Sequence, residues 1–406
     1  VKMSYLAAQT YCATSPAIME GAMTNSKTVW QNPAEIIRET QPENPVLVFA
    51  PTVLQERART FLEGFPGLVT YAVKSNPEEA VIQNLVTAGV QGFDVASPAE
   101  IDLIGRLAPR AARHYHNPVR SQSEIRQAVD AKIRAWSVDS MSELEKLLAH
   151  VPTEVDGEGV EISPRFKLPV LGAVYDFGSK FGAGPEYAAE MLKLVADRGY
   201  IPSLTFHPGT QCTDPIAWES YIKVAREICD MAGVRARRLN VGGGFPSHRV
   251  VGVEPDLASI FAEIGDTVAE AFGDDAPLLV CEPGRGLCAD AYALITRVKA
   301  VRDGAAVFLN DGVYGGLAEL PIIGNIDRIE VFDPQGNPRQ GPPVGRVIFG
   351  PTCDSVDRLP GELSLPEDIA EGDYVIFQGA GAYSVVTNTR FNGFGALGHA
   401  TVMSLA

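Results

Sequence analysis

The six cysteines, Cys12, Cys212, Cys229, Cys281, Cys288 and Cys353, include no CxxC pair and no dense framework. Neither a zinc knuckle nor a disulfide scaffold is indicated, no metal is expected, and a reducing cytoplasm is the simplest setting. No run of roughly 18 apolar residues exists, and the N-terminus has no basic stretch leading into an apolar one, so no membrane span or secretion signal is expected. Positive charge is scarce, with 34 Lys and Arg against 50 Asp and Glu and a formal net charge of −16. Phosphate-rich surfaces would be repelled, which argues against nucleic acid or anionic membrane as a partner and favours a cationic small substrate. There is no internal repeat, no low-complexity tract and no Gly-Lys-Ser/Thr phosphate loop.

What is present describes an ordinary globular chain. Its 406 residues, 46% hydrophobic and 21% charged, are enough for a large core and most naturally two domains. Residues 1–25 read as a flexible arm and 26–44 as a segment joining the second domain. From 45 to 288 short β-branched runs alternate with helical patterns. Strands are predicted at Val46–Phe49, 69–73, Gly92–Val95, 114–115, Ala135–Val138, 163–168, 204–206, 238–241 and 278–282, with helices such as 99–107 and Met141–His150 between them. About eight βα units with an extra leading strand predict an α/β fold, a (β/α)8 TIM barrel. Beyond it, residues 289–406 carry closely spaced strands (292–300, Ala306–Leu309, 346–349, Tyr374–Gln378) between Gly- and Pro-rich turns, a second, β-rich domain.

Chemistry-bearing residues sit where those strands end. Lys74, in the motif YAVKSNP at 71–77, closes a strand-forming run just before a turn. A lysine held at a pocket mouth can form an imine with an aldehyde if part of it is kept unprotonated; a solvated surface lysine is the competing reading. His207 opens HPGTQC at the end of the apolar run 204–206, where an imidazole can stack on a flat ring or simply bond within a loop. Gly242, Gly243 and Gly244 in VGGGFP let backbone N–H groups approach an anion, or make a tight turn. In CEPGR at 281–285, Glu282 and Arg285 offer a carboxylate for a ring nitrogen and a guanidinium for phosphate, or a local ion pair. Cys353 and Asp354 in GPTCDS pair a thiol with a carboxylate, and Tyr383 in GAYS follows a glycine-rich turn.

With the order YAVKSNP, FDVAS, HPGTQC, GGGFP, CEPGR, DGVYG, GPTCDS and GAYS, residues 45 to 400 resemble the fold-type III decarboxylases that use pyridoxal 5'-phosphate (PLP), the alanine-racemase-like barrels, in their ornithine/lysine branch. The resemblance implies that Lys74 carries PLP as an internal aldimine, His207 stacks on the ring and Glu282 pairs with its nitrogen. It further implies that Gly242, Gly243, Gly244, Gly284, Arg285, Tyr383 and Thr210 hold the phosphate and that Asp94 and Arg165 line the pocket. Cys353 and Asp354 would reach the site of a partner subunit in a homodimer, Cys353 as proton donor and Asp354 on the substrate's distal ammonium. Tyr314 in DGVYG is expected at the substrate. The aspartate that eukaryotic ornithine enzymes carry after DGVYG has no counterpart here, and Glu319 is its candidate substitute.

The implied reaction is loss of CO2 from a basic L-amino acid, L-ornithine to putrescine or L-lysine to cadaverine. Diaminopimelate, carboxyspermidine and apolar amino acids are the alternatives on the same scaffold, and a non-catalytic regulatory homologue is the alternative of another class. Arginine-type enzymes are expected to be much longer.

Overall fold

The structure, a computed structural model, describes residues 29–168, 180–324 and 326–406. The expected arm at 1–25 lies outside the described residues. Nine strand segments form one wholly parallel sheet in the order Ile201–Pro202, Glu161–Pro164, Ala135–Val138, Ala112–Tyr115, Gly92–Val95, Leu68–Ala72, Leu278–Cys281, Arg238–Asn240, Leu204–Thr205. The first and last of these are two halves of one run interrupted at Ser203. Because Thr205 also bridges Arg165, the sheet closes on itself as a barrel of eight staves, as expected.

Three successive staves feed their helices through the same local device. Ser97, Ser121 and Ser140 follow three successive strands, and each accepts a hydrogen bond from the backbone N–H of the glutamate three residues on. Such caps satisfy an orphan donor and place an acidic side chain in the positive first turn. The helices bury one face against the barrel, where Trp136, Trp218, Tyr115 and Phe245 are fully or nearly fully enclosed. Phe61 of helix Pro51–Gly64 meets Phe245 and Phe261 edge-on, with ring centroids 5.4 and 5.2 Å away, contacts worth about 0.5–1.5 kcal/mol each beyond their buried area.

The second sheet is mixed. Its spine is Tyr292–Arg302, paired antiparallel with Ala306–Leu309, Tyr374–Gln378 and Val46–Phe49. The last pairing corrects the sequence reading: Val46–Phe49 is no leading strand of the barrel, and it also pairs in parallel with Gly398–Val402. All four of its residues are buried, so it is a run buried on both faces whose pattern cannot say which sheet it joins. Val29–Trp30 extends the same sheet beyond Gly398–Val402. The barrel strand expected at 163–168 runs Glu161–Pro164 and so ends four residues sooner, with only isolated bridges continuing through Arg165 and Phe166.

One buried carboxylate ties the two units together. Asp290, in the turn Ala289–Ala291 that links them, accepts from Arg57 at 2.9 Å on the helix leading into the barrel and from Arg328 at 3.0 Å ahead of strand Ile329–Phe332. It also accepts from the backbone N–H of His248 at 3.2 Å. Asp290→Ala leaves two guanidiniums without their partner and is expected to lower stability by about 3 kcal/mol. Asp290→Asn, which keeps an acceptor, should cost less, and urea denaturation of both variants measures the difference.

Candidate active site

The C-terminal ends of the barrel strands open into a cavity of about 590 Å³ lined by Lys74, Asp94, Arg165, His207, Thr210, Gly243, Gly244, Glu282, Gly284, Arg285 and Tyr383. Eleven of the residues singled out from sequence thus converge. Lys74 lies on the single turn Val73–Ser75 that ends strand Leu68–Ala72. That turn is anchored to the second domain, because Ser75 O accepts from Tyr383 N–H at 2.7 Å and Asn76 donates to Gly381 O at 3.0 Å.

The Lys74 ammonium meets Asp94 Oδ2 at 3.1 Å, and its side chain keeps 47% of its surface accessible. The Asp94 carboxylate holds the amine well above the usual lysine value despite the desolvation that pulls it down, with Tyr383 and Glu282 adding to the effect. Asp94 itself is raised, chiefly by burial and then by the charge of Glu282, against the pull of Lys74. Two carboxylates and one ammonium therefore share a poorly solvated space.

His207 is pushed down to about 3 by burial and by the neighbouring Arg165 and Lys74 charges. It is a neutral imidazole. Its Nδ1 accepts from Gly209 N–H at 3.1 Å, which leaves the ring proton on Nε2. Gly242 and Gly244 take φ of 68° and 88°, conformations that favour glycine. Gly242 is the turn behind the cavity, and its N–H donates to Asn240 Oδ1 at 2.9 Å. A Cβ on Gly243 would lie 2.8 Å from the Glu282 carbonyl oxygen and 3.0 Å from His207 Nε2.

Three features were not read from the sequence. His116 lines the cavity at the end of strand Ala112–Tyr115 and bonds Glu282 through Nδ1. Asn240 donates to the same Glu282 oxygen. Both follow a rule available beforehand: a polar residue ending an apolar barrel strand faces the site. Donor atoms of Asp94, His116 and Glu282 lie within 4.8 Å of one another, but Lys74 and Asn240 already bond the outer two, so the cluster is a hydrogen-bonded network. The third is the partner of Glu319, whose carboxylate forms a two-pronged pair with Arg285, one arm at 2.7 Å. A carboxylate so engaged is not available to a substrate amine, which departs from the role expected for Glu319.

Tyr314, Cys353 and Asp354 stand apart from this cavity. Tyr314 donates to Asp354 Oδ2 at 2.6 Å, which holds the Asp354 carboxyl below its ordinary value. Cys353 is exposed, and its backbone N–H donates to Asn392.

Comparisons with known proteins agree with this geometry. The sequence model of the family described as "Pyridoxal-dependent decarboxylase, pyridoxal binding domain" matches residues 52–289. The lysine/ornithine decarboxylase of Selenomonas ruminantium is 31% identical over 334 residues, 80% of this chain and 81% of that protein. Among solved structures, the arginine decarboxylase of Paramecium bursaria Chlorella virus superposes with a TM-score of 0.79 at 26% identity, over 90% of this chain and 98% of that one. The lysine/ornithine decarboxylase of Vibrio vulnificus, complexed with cadaverine, gives a TM-score of 0.76 at 27% identity over 89% and 95%. The expectation that arginine enzymes are much longer fails on the viral neighbour, so length does not separate these substrates.

The cavity fits a pyridoxal phosphate on its own chemistry. Its lining offers an aldehyde-reactive amine, a neutral flat imidazole and the Glu282 carboxylate. Between them, Gly243 and Gly284 leave space that a Cβ would fill, the latter 2.9 Å from Ser75 Oγ. Arg285 Nε is buried without a partner, a donor still owed to an acceptor such as phosphate. Because Asp94 keeps Lys74 protonated, the free amine fraction rises about tenfold per pH unit below its pKa, and cofactor loading should accelerate with pH accordingly. Asp94→Asn lowers that pKa, so loading should be faster at neutral pH and flatten at lower pH. Stopped-flow absorbance of PLP added to cofactor-free protein reads both profiles. Gly243→Ala should weaken PLP retention by at least about tenfold, measured by dialysis, because the added methyl collides with the Glu282 backbone.

Proposed function

The chain belongs to the pyridoxal-dependent decarboxylases, and from that premise we propose that it removes CO2 from a basic L-amino acid at a site shared by two copies. L-ornithine to putrescine is the leading reaction, L-lysine to cadaverine the second, and polyamine synthesis the setting. The observation that carries this reading is the engagement of the three carboxylates found, among the described residues, in the cavity or on its lining arginine. Asp94 is bonded to Lys74, Glu282 to His116 and Asn240, and Glu319 to Arg285. None remains for the distal ammonium of a diamine precursor. Asp354, bonded by Tyr314 on the second domain and outside this cavity, is the acidic group assigned to that ammonium, reaching the cavity of a second copy.

When bound, PLP supplies the electron sink that takes up the bond pair released as CO2 departs. The protein's part is placement and proton handling. Lys74 would hold the cofactor, with Asp94, now paired to its ammonium, as the neighbouring carboxylate. His207, with its proton fixed on Nε2, presents an uncharged face to the ring. Glu282 accepts from the ring nitrogen. Gly243, Gly244, Thr210, Gly284, Arg285 and Tyr383 would hold the phosphate, and Arg165 lines the same cavity; Gly242, expected there, instead donates its N–H to Asn240 behind the cavity. Asp354 of a second copy orients the substrate through its distal ammonium, and the Cys353 thiol beside it returns a proton to Cα.

Product identification tests the substrate. With PLP and separate L-ornithine, L-lysine, L-arginine and diaminopimelate, putrescine is expected to form with the highest kcat/KM; agmatine as the main product, or no amine at all, would overturn the assignment. Cys353→Ala should divert turnover from amine towards aldehyde through misplaced protonation. Mixing Lys74→Ala with Cys353→Ala chains should restore up to about a quarter of the activity, since half the exchanged dimers carry one intact site of two. No recovery under conditions where subunits exchange contradicts the shared site.

A further inference from the structure

Of the imidazoles buried in the barrel interior, His116 is unlike its neighbours. His114, two residues earlier on the same strand, and His207 are both pushed down to about 3, first by burial and then by adjacent positive charge. Burial acts on His116 in the same sense, yet the charge and hydrogen bond of Glu282, with Asp94 and Glu161 adding, outweigh it and leave His116 raised. It is 8% exposed.

Asn240 Nδ2, His116 Nδ1 and Glu282 Oε1 all lie within hydrogen-bond reach of one another, Nδ2 being 2.9 Å from Nδ1, and the carboxylate is the acceptor that both nitrogens share. Asn240 Oδ1 accepts from Gly242 N–H, which turns its amide nitrogen towards Glu282. Glu282 Oε1 is then met by Asn240 Nδ2 and by His116 Nδ1, and an ionised carboxylate only accepts. His116 Nδ1 therefore carries a proton and donates it. Glu282 Oε1 is clamped from two sides, while Oε2 has no bonded partner among the described residues. Glu282 is correspondingly held below its ordinary value, against burial, by His116, Lys74 and Asn240.

We infer that His116 is a positioning residue for Glu282: its Nδ1–H fixes Oε1 so that Oε2 is the oxygen offered to the cofactor's ring nitrogen, and its charge sets how much negative charge Glu282 can lend. The inference rests on the reading that this cavity holds PLP with the ring nitrogen at Glu282. His116 Nε2 is buried without a partner, as is Nδ1 of His114, on rings whose centroids are 5.3 Å apart. A second proton on His116 thus has no protein acceptor bonded to it, which makes that proton the one exchanged as pH changes. The charged groups that face His116 are Glu282, Asp94 and Glu161. Lys74 is paired to Asp94, Arg165 lines the same cavity, and His114 shares its strand. When the second proton leaves, the positive charge beside the Glu282 carboxylate is lost, and its pair with a bound ring nitrogen would strengthen. The electron sink is therefore weaker below that titration and stronger above it.

His116→Ala and His116→Gln holoproteins test this. The visible absorbance of bound PLP, followed across pH without substrate, should show in the wild type a step above pH 6.5 that both variants lose. In turnover, His116→Ala should lower kcat per bound cofactor by about 10- to 100-fold with KM changed less than about threefold. His116→Gln, which restores an N–H donor with no second proton, should recover part of kcat and flatten its pH profile. If His116→Ala fails to fold, the Gln variant carries the test alone, since it must lose the spectral step. A wild-type spectral titration in His116→Gln, or wild-type kcat in His116→Ala, overturns the inference. The spectral arm needs no substrate, so a failure to decarboxylate any basic amino acid would sink the proposed function and leave this reading separately testable.

Discussion

The contact on which the rest depends is the pair between Lys74 and Asp94, set beside the second carboxylate of Glu282. An ammonium and a carboxylate about 3 Å apart attract by roughly 1 kcal/mol in water and several-fold more where solvent is thinned. Two carboxylates facing one amine could not both remain ionised there without further donors. His116 and Asn240 supply them to Glu282, and Lys74 supplies one to Asp94. The polar floor of the cavity is thus a single coupled unit, in which changing one member shifts the protonation of the others.

The fold exists to hold that unit still. Each member is at, or within two residues of, the C-terminal end of a different barrel strand: Lys74 after Leu68–Ala72, Asp94 in Gly92–Val95, His116 after Ala112–Tyr115, Asn240 closing Arg238–Asn240 and Glu282 after Leu278–Cys281. Strand spacing and register then set the distances, so positioning is inherited from backbone hydrogen bonds rather than from flexible loops. The second domain contributes from above. Tyr383 adopts a left-handed backbone with φ of 65° and bonds Ser75, while Arg285 lies beneath its ring at 5.3 Å to the centroid. Asp290 fixes the angle at which these two halves meet.

Much of this is legible in the residues. The strands Gly92–Val95, Ala135–Val138, Ala306–Leu309 and Tyr374–Gln378 and the helix Met141–His150 have the expected bounds, because each strand is a short run rich in apolar, strand-forming residues and the helix is a Ser-capped amphipathic pattern. Lys74, His207 and Glu282 announce themselves by interrupting such runs with a group that can do chemistry. Val46–Phe49 is misassigned because a strand buried on both faces carries no mark of its neighbours. His116 and Asn240 go unseen because their partner, Glu282, lies 166 and 42 residues away in sequence, and nothing local records that distance. Glu319 shows the reverse: its charge is visible, but only the fold reveals that Arg285 has already taken it.

The most direct test of the central claim is borohydride reduction of the PLP-loaded protein followed by peptide mass spectrometry. The account predicts a phosphopyridoxyl group on Lys74, with the label falling sharply in Lys74→Ala. A label on another lysine, or none on a holoprotein that retains its visible absorbance, would contradict it.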